Sequence, residues 1–245
     1  QSSESQEKEK ANTVTLFNNR VDGLLVSLAY DTQSLAHFEP FLKKKIPIVF
    51  FDRTTDQPES ICVQINNVKA AYEATTHLIS QGRRRIIHIT ATQKRDVYID
   101  RAQGYKQALA DQRIPFREDY VIVGNLSQEA GADAAARIRQ MNPLPDAVFV
   151  ANDTCAVGCM IALKQMGVRI PEDIAFVGFN NDPVSIVIEP NLTTINYPGY
   201  EMGQVAARNL IAHLSGSAGT RSTNTIILRS ELVIRESSAA RKSNA

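Results

Sequence analysis

The sequence predicts an α/β protein built on doubly wound parallel sheets, and three observations carry that expectation. Short apolar runs alternate along the whole chain with amphipathic stretches of roughly 10–15 residues, the pattern of βαβ units whose helices cover both faces of a parallel sheet. The apolar runs end abruptly in polar residues, as strands do when they deliver side chains to the rim of an open sheet. The length, 245 residues with 43% hydrophobic content, suits one large domain or two small ones at roughly 150 residues per typical domain, ample for a packed core.

The elements follow in order. A first helix covers residues 5–18, with no strand before it. DGLLVSL (22–28) reads as a buried strand, and residues 34–45 as a helix that bends at Pro40 and ends in Lys43–Lys45, where the helix dipole favours cations. Residues 46–52 and 60–65 read as strands. In the next helix Val68, Ala71, Thr75 and Leu78 share one face, and Gly82 stops it as a left-handed cap. Strands then fall at 85–91, 120–124, 146–151, 173–179 and 192–197, with helices at 100–112, 129–141, 155–167 and 200–214. A last strand is expected over 224–236, and a polar, disordered tail over 238–245. A parallel α/β domain ordinarily opens on a strand. The leading helix, and Gln1 where an initiator Met would stand, therefore read as a chain that begins inside its fold.

Composition excludes several classes. Lys+Arg number 27 and Asp+Glu 26, a net charge of +1 with no global pull on nucleic acid or anionic membrane, so a nucleic-acid role would need a separate module. No apolar run approaches the ~20 residues of a membrane span, and QSSESQEKEK has no apolar core of a signal peptide. Three cysteines, without a C-x-x-C, fit a reducing compartment; Cys155 and Cys159 sit one helical turn apart among apolar neighbours and read as small buried hydrophobes. There is no G-x-G and no G-x-S-x-G, which removes the dinucleotide fingerprint, the P-loop and the hydrolase elbow. His37, His77, His88 and His213 lack metal-ligand spacing. No cofactor, no metal and no enzyme chemistry is expected. The clusters Lys43–Lys45 and Arg83–Arg85 lack interleaved aromatics and read as solvated helix ends.

The polar residues just beyond the predicted strands carry the functional signal. Asp52-Arg53, Arg95, Asn125, Asn152-Asp153 and Asn180-Asn181-Asp182 follow five strands, and Arg101 lies early in a helix. Each has two readings, a helix cap or a ligand contact. Asn and Asp grip hydroxyls and Arg offers a rigid donor fork, so five such sets at one rim favour a ligand.

DAVFVANDTCAVGCMIALKQMGVRIPEDIAFVGFNNDP, followed by EPNLTTINYP and EMGQVAARNLIAHL, resembles the lactose-repressor (LacI/GalR) family of transcription regulators in their effector-binding core; NNRVDGLLVS, IPIVFFDR, ATTHLISQGRRRIIHIT, DRAQGYKQAL and ELVIRES extend the resemblance over nearly the whole chain. The resemblance implies a periplasmic-binding-protein-like (type I) fold, two lobes joined by three chain crossings near Thr92, Tyr197 and Asn224. That puts residues 1–92 and 198–223 in one lobe and 93–197 and 224–237 in the other. It implies a cytoplasmic homodimer with no membrane contact, which senses a small effector between the lobes and reads operator DNA only through an N-terminal helix-turn-helix absent from this sequence. It implies effector contacts at Arg101 (of R-x-x-G-aromatic) and Asn152 (of A-N-D), with Arg95, Leu126, Tyr197 and cleft-edge Asp52 at positions that some members use. In A-N-D, Asn152 is expected to face the ligand while Asp153 or Thr154 caps the helix. Asn180 stands where many members carry an effector-gripping Asp. With two arginines and no carboxylate there, an anionic or polar effector is expected: a sugar, a sugar phosphate or a nucleoside-like compound. The alternative is a periplasmic sugar-binding protein of a transport system, which shares the fold.

Overall fold

A computed structural model describes residues 1–55, 60–92, 94–216 and 225–239. Its elements, in chain order, are α1 (Gln6–Asn18), β1 (Leu24–Val26), α2 (Glu39–Lys43), β2 (Ile48–Phe51), β3 (Ile61–Ile65), α3 (Asn67–Ser80) and β4 (Ile86–Thr90). Then come α4 (Asp96–Asp111), β5 (Val121–Val123), α5 (Gln128–Arg139), β6 (Ala147–Val150), α6 (Asp153–Gln165) and β7 (Ala175–Asn180). The last are β8 (Thr193–Asn196), α7 (Gly199–Leu214), β9 (Thr225–Leu228) and β10 (Glu231–Val233). The chain forms two compact units: Gln1–Asn66, Lys94–Val97 and Pro198–Arg229, and Asn67–Gln93, Tyr98–Tyr197 and Ser230–Ala245.

The first unit holds a four-stranded sheet in the order β1-β2-β3-β9, every pairing parallel. Leu24, Leu28, Phe38, Phe41, Ile48, Phe50 and Cys62 form its core cluster. Ser5 caps α1 by accepting from Lys8 N. On the sheet lies α7, which buries Met202 and Ala206.

The second unit holds a six-stranded sheet, β10-β8-β7-β6-β4-β5, parallel except for β10, which runs antiparallel on the edge beside β8. Its central strands β4 and β6 are buried at every residue, as uninterrupted apolar runs require when helices cover both faces. Helices α5 and α6 cross at Gly131 and Gly158: a Cβ on Gly158 would stand 2.2 Å from Gln128 O, and one on Gly131 2.2 Å from Cys155 O.

The structure departs from the expected lobes in five places. The first crossing falls at Asn66–Asn67 rather than near Thr92, because β4 hydrogen-bonds to β5 and β6 and α3 packs against the same sheet. Residues 94–97 return to the first unit. The expected final strand 224–236 is two strands in different sheets: β9 pairs with β3 and β10 with β8, so the unit boundary lies at Arg229–Ser230. Asn224 itself, where a crossing was expected, lies outside the described residues, as do residues 240–245 of the expected tail. Ser238, the tail's expected first residue, is instead 1% exposed and bonded through Oγ to Thr193 Oγ1 at 2.6 Å. The helix expected over 34–45 shrinks to a 3-10 turn (Ala36–Phe38) and α2, with Pro40 in the first turn, where its missing N–H costs nothing.

Candidate functional site

In the second unit, β4 to β8 run parallel, so the residues that follow them share one edge of the sheet. Leu126 follows β5 with φ +61° and is 7% exposed. Asn152 follows β6, Asn180 ends β7, and Tyr197 follows β8 with its N–H on Asn180 O at 3.3 Å. Arg101 comes to the same edge from α4. Its guanidinium is buried: Nε donates to Asn67 Oδ1 at 3.0 Å and Nη1 to Ala151 O at 2.8 Å, and the group lies 3.6 Å from the Phe179 ring centroid. Five of the seven expected effector residues thus fall in one unit.

Asn152 is the N-cap of α6: its backbone is extended and its Oδ1 accepts from Cys155 N at 3.1 Å. This corrects the division of labour expected of A-N-D, since Asn152 rather than Asp153 or Thr154 supplies the cap. Asp153 is buried, and burial beside Asp182 raises its carboxyl to about 6 despite hydrogen bonds that favour the charged form. Asn180 and Asn181 both hold left-handed φ, +117° and +59°. Asn181 is tied on three sides: Oδ1 accepts from Arg235 Nη2 at 2.7 Å, Nδ2 donates to Asn196 Oδ1 at 3.0 Å, and N donates to Thr194 Oγ1 at 3.2 Å.

Asp52 and Arg95 belong to the first unit. Asp52 follows β2 with φ +61° and accepts from Ser27 Oγ at 3.4 Å. Arg95 donates through Nη2 to Thr32 O. It lines a cavity of about 280 Å³ with Thr32, Gln33, Thr54, Lys94 and Asp96 among its walls. Asp96 Oδ2 accepts from Thr54 N at 2.9 Å and Thr54 Oγ1 at 2.8 Å. Arg95 Nε and Asp96 Oδ1 are buried with no hydrogen-bond partner among the described residues. A donor and an acceptor left over at a polar cavity suit a ligand with both hydroxyl and anionic oxygens.

Sequence reasoning missed several polar groups here. Glu9 looks like one more charge on a polar helix, yet it is 6% exposed and accepts from Ala29 N at 2.7 Å, Thr32 Oγ1 at 2.9 Å and His37 Nε2 at 2.8 Å. Thr194 and Arg235 gave no signal, because their partners lie some 40 to 50 positions away. Cys155 and Cys159 are buried as expected. His88 stacks between Tyr105 and Phe149 and is lowered to about 4 by burial, and burial pushes the Cys155 thiol up to about 12. Among the described residues no group of three or more His, Cys, Asp or Glu could hold a metal ion, and no helix is long and apolar enough to cross a membrane.

Residues 75–238 match the family model of the periplasmic binding protein-like domain. The ribose operon repressor of Haemophilus influenzae is 31% identical over 226 residues, covering 92% of this chain and 67% of that protein. Catabolite control protein A of Priestia megaterium is 27% identical over 215 residues, covering 87% and 64%. The chain therefore spans about two thirds of the length of the curated relatives it matches. Among solved structures, the transcription regulator CcpA of Lactococcus lactis superposes with a TM-score of 0.87 at 29% identity, over 97% of this chain and 86% of that one.

Proposed function

We propose a function from one premise: this chain belongs to the lactose-repressor (LacI/GalR) family and carries its periplasmic-binding-protein-like, effector-binding core. It acts as the ligand-sensing part of a transcription regulator, not as an enzyme. A small effector bound to it sets the operator affinity of the whole protein, which works as a homodimer in the cytoplasm. The observation that carries the site assignment is the polar rim on the second sheet. Arg101 is held against Phe179, Asn152 fixes the start of α6, and Asn180 sits in a left-handed turn beside them. In this unit Arg101, Asn152, Asn180, Leu126 and Tyr197 are the proposed effector contacts, and in the first unit Arg95 and Asp52 are. The names of the relatives, repressors and control proteins, favour this reading over a transport binding protein.

The effector is polar, with hydroxyls and an anionic group. Lys94 and Arg95 line the first unit's cavity, and Asn180 brings no carboxylate to oppose an anion. Asn180 both donates and accepts, so it still holds a hydroxyl. A thermal-shift panel of pentoses, sugar phosphates and nucleosides tests this. A ligand at about 100 times its Kd stabilises the fold by roughly 2.7 kcal/mol, about 5–10 °C in Tm for a chain of this size. Asn180→Asp is expected to weaken phosphorylated ligands more than neutral ones. Equal weakening of both classes would contradict the anionic assignment.

A further inference from the structure

Asp153 opens α6 but takes no part in its cap, and its carboxylate is fully buried. It reaches across to β8 and to the turn after β7. Oδ1 accepts from Thr194 Oγ1 at 2.7 Å, and Oδ2 accepts from the backbone N–H of Asp182 at 2.8 Å. Gly178 on β7 makes the room, since a Cβ there would stand 2.1 Å from Asp153 Oδ1. The turn so held contains Asn180 and Asn181, consecutive non-glycine residues with φ of +117° and +59°. Such backbone persists where its surroundings over-determine it. Thr194 Oγ1 completes the linkage, giving its proton to Asp153 and accepting from Asn181 N at 3.2 Å. A carboxylate accepts at both oxygens, whereas an amide offers one acceptor, so only the acid serves the hydroxyl and the N–H together in this orientation.

We propose that Asp153 is a positioning residue for effector recognition: its carboxylate, through Thr194 and the Asp182 N–H, fixes the left-handed turn that presents the Asn180 amide at the edge of the second sheet. This rests on the reading above only in assigning Asn180 to the effector. Burying a carboxylate is costly, and the Asp153 side chain offsets part of that cost through contacts to the turn and to β8, not through the helix that carries it.

The test uses the ¹⁵N-labelled full chain with Asp153→Asn, Thr194→Val and Thr194→Ser. Thr194→Val removes the hydroxyl at nearly constant shape, and Thr194→Ser restores it. In Asp153→Asn and Thr194→Val, exchange of the Asp182 amide is expected to quicken about tenfold or more. The Asn180 side-chain amide resonances are expected to move, while those of the first unit stay in place. Thr194→Ser is expected to remain within about twofold of wild type. Unchanged Asp182 exchange and Asn180 resonances in Thr194→Val overturn the proposal whether or not any sugar binds, and Asp153→Asn is not needed to be fully folded for that result. D-ribose and D-ribose 5-phosphate are the binding probes. A loss of affinity of about tenfold in both Asn180→Ala and Thr194→Val supports the proposal. Loss in Asn180→Ala alone overturns the role of Asp153 and leaves the effector reading standing. Loss in neither overturns the assignment of Asn180 to the effector.

Discussion

Two buried titratable side chains pull the stability of the second unit in opposite directions with pH. His88 is lowered from 6.5 to about 4, so the folded state refuses a proton that the unfolded chain takes. Its contribution is fully present above pH 6.5 and is lost as pH falls toward 4. Asp153 is raised from 3.8 to about 6, so the folded state keeps a proton that the unfolded chain has given up. Its charge penalises folding above pH 6, and the penalty is relieved as pH falls toward 4. Each effect is of the order of 3 kcal/mol, and the two windows nearly coincide. Asp153→Asn removes one side of the balance. Urea denaturation of the variant between pH 6.5 and 4 is expected to show a loss of stability a few kcal/mol steeper than that of wild type. Parallel curves for the two proteins would show that Asp153 titrates normally in the fold. These residues also mark what the sequence left illegible. The motif A-N-D announces polar chemistry, but which member caps the helix depends on Asn152 reaching Cys155 N and Asp153 reaching Thr194, a residue 41 positions away. Arg101 was legible as a candidate effector contact through R-x-x-G-aromatic. Its stacking on Phe179 was not, because that contact forms only when β7 lies beside β6.

At the scale of elements, the helices and strands were largely legible and their partners were not. Apolar runs and helical spacing locate β4 and α3, but no periodicity tells which sheet a buried strand joins. The boundary expected near Thr92 therefore moved to Asn66–Asn67 once β4 was seen between β5 and β6. Likewise, residues 224–236 read as one strand because both halves are apolar, although the chain changes sheet between Leu228 and Glu231. The α5–α6 crossing is a firmer basis for prediction. Gly158→Ala would place a methyl group 2.2 Å from Gln128 O, a backbone atom that cannot swing aside. The helices must separate, at a cost of about 1–3 kcal/mol. The melting temperature is expected to fall by several degrees. A Tm equal to wild type would mean that the two helices are not packed as closely as described.

For the whole molecule, the first unit leaves apolar side chains in solvent: Ile211 is 64% exposed and Leu214 48% on α7, with Leu25 44% and Ile227 58% on the sheet. Single apolar side chains in solvent are ordinary, so the case for a partner rests on the proposed homodimer. The family reading adds a two-fold partner to match a palindromic operator. Sedimentation analysis is expected to give a species near twice the 27.1 kDa chain mass, and a strict monomer at high micromolar concentration would count against self-association by this chain.

The central claim is that this chain senses a small polar effector with the rim around Arg101, Asn152 and Asn180. Calorimetric titration of the best ligand from the thermal-shift panel into wild type, Arg101→Lys and Asn180→Ala tests it most directly. Arg101→Lys is the better arginine probe, because Arg101→Ala would also leave Asn67 Oδ1 and Ala151 O without their donor in the core. The account predicts saturable one-site binding to wild type, weakened about tenfold or more in each variant while circular dichroism shows both still folded. Binding that is as tight in both variants as in wild type, or no binding by any sugar, sugar phosphate or nucleoside at millimolar concentration, would contradict it.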